Sequence, residues 1–294
     1  MVLDEARAAH SLDVLADELS RAAGRVVTRE QAAMGVVRIA NANMERALRL
    51  VSIERGHDPR RFTLVSFGGA GGLHAAALAS ALRIPRVLVP NDPGAFSALG
   101  VLLADVIKDY SRTVMLTIEP GQAIPREIEK QFSALERRAK RELAGEGFAA
   151  ARSRLERLLA MRYRGQSFEI EVEMAPDAVE RFHQAHRERY GHAESQRAIE
   201  VVSVRLRGIG ITEKPVLANT PHFKRHKARA KDSVLIWMEE RRRRVEVFDR
   251  ATLEPGAAIT GPAVLVEYGS TTLVPAGWGA VVDGRRSLIL SAAG

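Results

Sequence analysis

The chain has 294 residues, 46% of them hydrophobic and 27% charged, with no cysteine and a formal net charge of +8. The missing cysteine excludes disulfides, thiolate metal ligation and a cysteine nucleophile, while the length allows one large or two modest domains. No apolar run reaches about 18 residues, and Asp4, Glu5 and Arg7 stand where a leader would be basic and then apolar, so the sequence predicts a cytoplasmic protein with no membrane partner.

Leu3 to Leu19 carries apolar residues at helical spacing. Thr28 followed by Gln31 has the form of a capping box, opening a second helix that runs to about Arg55. Gly56, His57, Asp58 and Pro59 end it. Phe62 to Phe67 reads as a buried strand that enters a glycine-rich turn, followed by a helix over Leu73 to Leu82 and a strand over Arg86 to Pro90. This αβαβ succession predicts a partly parallel sheet with covering helices. Asn91 to Gly94 marks a turn, Ala95 to Ile107 returns to helical character, and Arg112 to Ile118 reads as a strand.

Pro120 and Gly121 close this first region, and Pro125 to Gly145 is a charged amphipathic helix. Strand-like runs at Leu158 to Tyr163, Ser167 to Met174 and Glu200 to Ile211 then surround a helix from Asp177 to Tyr190. Residues 216–294 are mostly short apolar runs broken by Pro-Gly, Gly-Pro, Ala-Gly and Asp-Gly. The expected division is an α/β lobe over 1–120, an α+β region over 121–215 and a β-rich domain over 216–294. The densest basic cluster, Arg241 to Arg244, lies between two strand-like runs with few aromatics to stack on bases, so a hairpin tip is expected there and no nucleic-acid partner.

The segment from Ser66 to His74 concentrates four glycines, Gly68, Gly69, Gly71 and Gly72, between a strand and a helix. Such a turn lets backbone approach a ligand and aims helix amides at it. It matches neither the dinucleotide fingerprint nor the phosphate-loop spacing, so a nucleotide site and plain packing both stay open. His74 begins the following helix, where the dipole favours a neutral imidazole able to act as a base or to make a structural hydrogen bond. Arg162, Tyr163, Arg164, Gln166 and Glu169 form a polar patch in which alternation separates Tyr163 from the two arginines. Arg164 and Gln166 suit a carboxylate or amide, and a turn bending at Gly165 with an Arg–Glu pair is the other reading. His183, His186 and His192 lack a carboxylate to complete a ligand set and read as a polar helix face, so no metal site is expected.

Read together, several segments resemble the hydantoinase A and 5-oxoprolinase family. They are Ile39 to Met44, Glu54 to Arg60, Ser66 to Ala75, Val89 to Tyr110 with its Phe96 to Gly100 core, Arg162 to Glu169, and Gly261 to Pro275 continuing to Gly277 and Trp278. The resemblance spans nearly the whole chain in the family's own order. Two departures stand out: Gly72 replaces a usual proline, and Gly269 replaces an acidic residue before Ser270, Thr271 and Thr272.

The resemblance implies one lobe of an actin-like or sugar-kinase-like ATPase fold, followed by an α+β, β-rich C-terminal region. It implies that Gly68, Gly69, Ala70 and Gly71 lie against the adenosine of ATP. His74 and Glu169 are the catalytic candidates, and Arg164 and Gln166 the substrate-binding ones. The family's acidic, glycine-rich phosphate turn of the form D-x-G-G-T-x-T-D does not occur here. The expectation is therefore the C-terminal part of an ATP-dependent amidohydrolase opening a cyclic amide such as a hydantoin or 5-oxoproline. It would use ATP with Mg only in a complex with a separate N-terminal lobe polypeptide and a hydantoinase B-type subunit. The alternatives are a truncated, non-catalytic assembly module of the same family, or a subunit of a related ketone carboxylase.

Overall fold

The computed structural model describes residues 4–216, 219–220 and 222–292 and divides into two compact units. One comprises 1–101 with 216–294, and the other is 102–215. Its first elements are helix α1 (Glu5–Ala23) and helix α2 (Arg29–Val51). The capping box forms as expected: Thr28 Oγ1 accepts from the Gln31 amide, and the Gln31 side chain accepts from the Thr28 amide. Together these satisfy two helix-end donors.

Strand β1 (Thr63–Val65) runs parallel to β2 (Arg86–Val89), with helix α3 (Gly71–Leu82) connecting them. The strand is shorter than Phe62 to Phe67 and is not buried, because β1 is the edge of its sheet and Phe62, Val65 and Phe67 are exposed. Helix α4 (Phe96–Leu103) is likewise shorter than expected, since the chain turns into a strand at Val106.

The second unit is an antiparallel sheet with two helices. Strand β3 (Val106–Ile118), helix α5 (Glu127–Gly145), strands β4 (Ser153–Tyr163) and β5 (Ile170–Glu173), helix α6 (Ala178–Tyr190) and strand β6 (Ile199–Gly210) give the strand order β3-β6-β4-β5. Phe132 of α5 and Phe182 of α6 reach the same core as Leu159, Tyr163 and Leu206. The expected boundary near Pro120 falls inside this unit, because β3 pairs along its length with β6 and cannot leave without breaking the sheet.

The chain then returns to the first unit through strands β7 (His226–Lys227), β8 (Asp232–Met238), β9 (Arg241–Asp249), β10 (Ala257–Thr260), β11 (Ala263–Glu267), β12 (Ser270–Val274), β13 (Trp278–Val282) and β14 (Leu288–Ala292). Strand β14 pairs antiparallel with β2, Leu288 opposite Val89, so the sheet order is β1-β2-β14-β13-β10-β7. The 216–294 segment thus completes the sheet begun by β1 and β2. A second sheet, β12-β11-β9-β8, shares its core with the first: Phe248, Leu265 and Val274 pack with Ala76, Val87 and Leu288. A hairpin forms where one was expected, but its turn is Glu239–Glu240, both at positive φ, and Arg241 to Arg244 lie in β9 paired with Leu235 to Met238 rather than at the tip.

Candidate functional site

The glycine turn is held from three sides within the first unit. The Ser66 amide donates to the Leu88 carbonyl at 2.9 Å and the Gly68 amide to the Pro93 carbonyl at 2.8 Å. From the β11–β12 hairpin, Ser270 Oγ donates to the Gly68 carbonyl at 3.2 Å and the Thr271 amide to the Gly69 carbonyl at 3.2 Å. The turn is therefore fixed by backbone groups, which suits a surface whose side chains have been removed.

Its glycines serve different ends. A Cβ on Gly72 would stand 2.5 Å from Thr272 Oγ1 and 2.7 Å from the Thr271 carbonyl, so this glycine lets α3 press on β12. Gly94 plays the same part below the hairpin tip, its Cβ position 2.8 Å from the Gly269 carbonyl. Gly68 differs: at φ +89 its Cβ position meets nothing within 4 Å, and Gly69 and Ala70 are exposed. Packing explains Gly72 and touches Gly69, whose Cβ position is 3.3 Å from the Gly269 carbonyl, while Gly68 is open on its Cβ side.

His74 lies one turn into α3, half-buried, with Nδ1 2.7 Å from Asn41 Oδ1 of α2. Because the amide oxygen accepts, Nδ1 carries the proton in this arrangement. Arg162 and Glu169 are both in ion pairs of the second unit, Arg162 Nε with Glu200 at 2.9 Å and Arg205 Nη2 with Glu169 at 3.1 Å. Tyr163 faces the opposite side and is fully buried, as strand alternation requires. The Gln166 amide closes a turn on the Tyr163 carbonyl with Gly165 at φ +86, leaving Arg164 exposed and Gln166 half-buried. The glycine turn and His74 thus belong to one unit, and Arg164, Gln166 and Glu169 to the other.

The three histidines near α6 are each engaged otherwise. Tyr163 Oη lies 2.6 Å from His183 Nδ1 and accepts from the Glu194 amide, and His186 Nδ1 donates to the His192 carbonyl. Among the described residues no group of three or more metal-ligating side chains converges. Among them, too, no helix is long and apolar enough to cross a membrane.

One member of a polar cluster beside the hairpin tip, Arg250, escaped the reading of the sequence. Arg250, only 6% exposed, follows β9, and Glu267 ends β11. Burial pushes the Arg250 guanidinium down to about 10 and holds the Glu267 carboxyl above its usual range, with Arg250 opposing the second shift. Nothing in the local pattern marks Arg250, an arginine at a strand end like many exposed ones.

The hydantoinase/oxoprolinase model matches residues 1–110, and the hydantoinase/oxoprolinase C-terminal domain matches residues 119–293. The chain belongs to the hydantoinase/oxoprolinase family. It is 27% identical to the caprolactamase alpha subunit of Pseudomonas jessenii over 93% of this chain and 41% of the relative. It is 30% identical to the 5-oxoprolinase of Saccharomyces cerevisiae over 88% of this chain and 21% of the relative. Among solved structures, the nucleotide-free acetone carboxylase superposes with a TM-score of 0.72 at 23% identity, covering 96% of this chain and 42% of that one. The hydantoinase-family chain therefore spans less than half the length of these relatives. Its mixed α/β architecture is of the actin-like class that the resemblance implied.

Proposed function

We propose that this hydantoinase-family chain is the nucleotide-side part of an ATP-dependent amidohydrolase that opens a cyclic amide. The single observation that carries the reading is the side-chain-poor turn at Gly68, Gly69 and Ala70, unobstructed at the Gly68 Cβ position and pinned from both flanks by the hairpin and by Pro93. Ring amides resist hydrolysis because the amide is resonance-stabilised and its nitrogen leaves poorly. Phosphorylating the carbonyl oxygen removes both obstacles, and that step depends on positioning and on cationic stabilisation of phosphate charge. The relatives named caprolactamase and 5-oxoprolinase support this class of chemistry.

The residues present suit adenosine better than phosphate. Gly68 to Gly71 offer a surface for a purine and ribose whose one side chain is the Ala70 methyl, but the turn carries no carboxylate to organise magnesium. No step is therefore assigned to the metal within this chain. Arg164 and Gln166 are proposed to hold the amide or a carboxylate of the ring substrate. His74 and Glu169, already engaged by Asn41 and Arg205, are given no proton to move.

A second reading, an assembly module without its own chemistry, is favoured by one observation. Helix α2 exposes Val36, Ile39 and Leu50 along one face, and such a stripe suits association with another polypeptide. The acetone carboxylase likeness keeps a carboxylase subunit as a further alternative within the family. The test is to purify the chain alone and together with a family polypeptide carrying the acidic phosphate turn, and to follow ATP-coupled ring opening. Activity only in the mixture is expected. Turnover of ATP by the chain alone would overturn the proposed division of labour, and a mixture that assembles without ring opening would favour the module.

A further inference from the structure

The Tyr268–Gly269 tip touches the glycine turn and Gly94, so whatever fixes the tip also fixes the turn. Strands β9 and β11 run parallel with Asp249 opposite Val266, which places the next residues, Arg250 and Glu267, side by side where the two strands end. Glu267 in turn faces Ser270 across the hairpin, one residue from the tip on either side. Both side chains are incompletely satisfied: among the described residues, Arg250 Nη1 and Glu267 Oε1 are buried without a hydrogen-bond partner. Arg250 Nη2 donates to the Arg286 carbonyl at 2.5 Å.

Removing a charged guanidinium and a carboxylate from water is costly, and the cost is offset only when each lies in the other's field. The surrounding charges are Asp92 on the turn before Gly94, and Asp283 and Arg286 on the β13–β14 connection. Of these, Asp283 is already accepting from the Arg285 and Ser287 amides, and Arg286 donates to Glu254. Asp92 accepts from Asn91, and Glu267 is the acidic residue that the strand register sets next to Arg250.

We propose that Arg250 is a positioning residue that holds the Tyr268–Gly269 tip on the glycine turn by acting through the Glu267 carboxylate. Deleting either charge takes away the neighbouring countercharge that the strand register supplies, and the hairpin end then moves to let water reach the one that remains. This inference rests on the hairpin geometry and stands whether or not the turn receives a nucleotide.

The experiment is residue-resolved amide exchange on the purified chain, read at Thr271, whose N–H is bonded to the Gly69 carbonyl, and corrected for intrinsic rates. Arg250→Met is expected to speed exchange at Thr271 by about tenfold or more while amides of β4 and β6 keep their rates. Glu267→Gln should do the same, the double variant should exchange no faster than the faster single, and Arg250→Lys should recover most of the protection. In the parent chain protection at Thr271 should fall on acidification as Glu267 takes up a proton, and Glu267→Gln should lose that dependence. Unchanged protection in Arg250→Met, faster exchange confined to residues 283–287, or additive effects in the double variant would overturn the proposal. Should Arg250→Met not fold, Glu267→Gln decides alone: unaltered Thr271 protection rejects the mechanism. Binding of a fluorescent ATP analogue to the same variants tests the nucleotide reading separately.

Discussion

The Ser270 hydroxyl donates to the Gly68 carbonyl at 3.2 Å, joining two segments 202 residues apart in sequence. Through this bond and its neighbour from Thr271 to Gly69, a hairpin near the end of the chain becomes the wall of the turn near its beginning. The turn therefore owes its shape to residues that local pattern cannot associate with it.

Gly72→Ala should destabilise the first unit. The added methyl would sit 2.5 Å from Thr272 Oγ1 and 2.7 Å from a backbone carbonyl, and backbone has little room to yield. A loss of about 1–3 kcal/mol is expected by denaturant titration. Gly35→Ala, inside α2 with nothing within 4 Å of its Cβ position, should instead gain about 0.5–1 kcal/mol. Equal effects at the two positions would contradict this account of the turn.

His74→Ala should cost about 0.5–1.5 kcal/mol by removing the bond to Asn41 that ties α3 to α2. Asn41→Ala should cost a similar amount, and the double variant should lose less than the sum. Binding of a nucleotide analogue that vanishes in His74→Ala at unchanged stability would instead mark His74 as a ligand contact.

Acid should weaken the second unit through His183. Burial holds its imidazole below the ordinary 6.5, and the neutral ring accepts from Tyr163, which itself accepts from the Glu194 amide. Between the depressed folded value and 6.5 the unfolded chain binds more protons, so stability rises with pH through that window. It is complete above the window and is lost as pH falls through it. Nearby Glu180 opposes the shift and Arg187 and His186 reinforce it. Melting temperature followed from pH 7.5 to about 5.5 should fall more steeply in the parent chain than in His183→Gln. Parallel curves would remove His183 from the explanation.

Ile39→Lys and Leu50→Lys should leave the fold nearly untouched, because these side chains are 65% and 56% exposed on α2. Changes within about 0.5 kcal/mol are expected by denaturant titration. Co-purification with the complementary family polypeptide should fail in the double variant if the stripe is its docking face. Retained assembly would direct attention to another surface, such as that around Phe168, which is 74% exposed.

Local physics was readable where it acts over a few residues. The Thr28–Gln31 capping box, the helix over Leu73 to Leu82 and the existence, though not the turn residues, of the β8–β9 hairpin each depend on near neighbours in sequence. The boundary near Pro120 was harder, because a Pro-Gly step signals a turn equally well between domains and between paired elements. Phe62 to Phe67 misled for a related reason: an apolar run is consistent with a buried strand, but edge position is set by which strands arrive beside it. Arg250 gave no sign at all, since burial of a strand-end arginine depends on what covers it.

By itself, the amino-acid sequence determined most of the helices and strands, the glycines that make the turn possible, and membership of the hydantoinase/oxoprolinase family. These follow from short-range sterics, hydrogen bonding and side-chain period, all written in consecutive residues. Only the tertiary structure decided that β14 pairs with β2, that the Tyr268–Gly269 tip seats on Gly69 and Gly94, and that Arg250 and Glu267 stand where two paired strands end. Those contacts join distant parts of the chain, and they exist because the two sheets and α3 bury one common core.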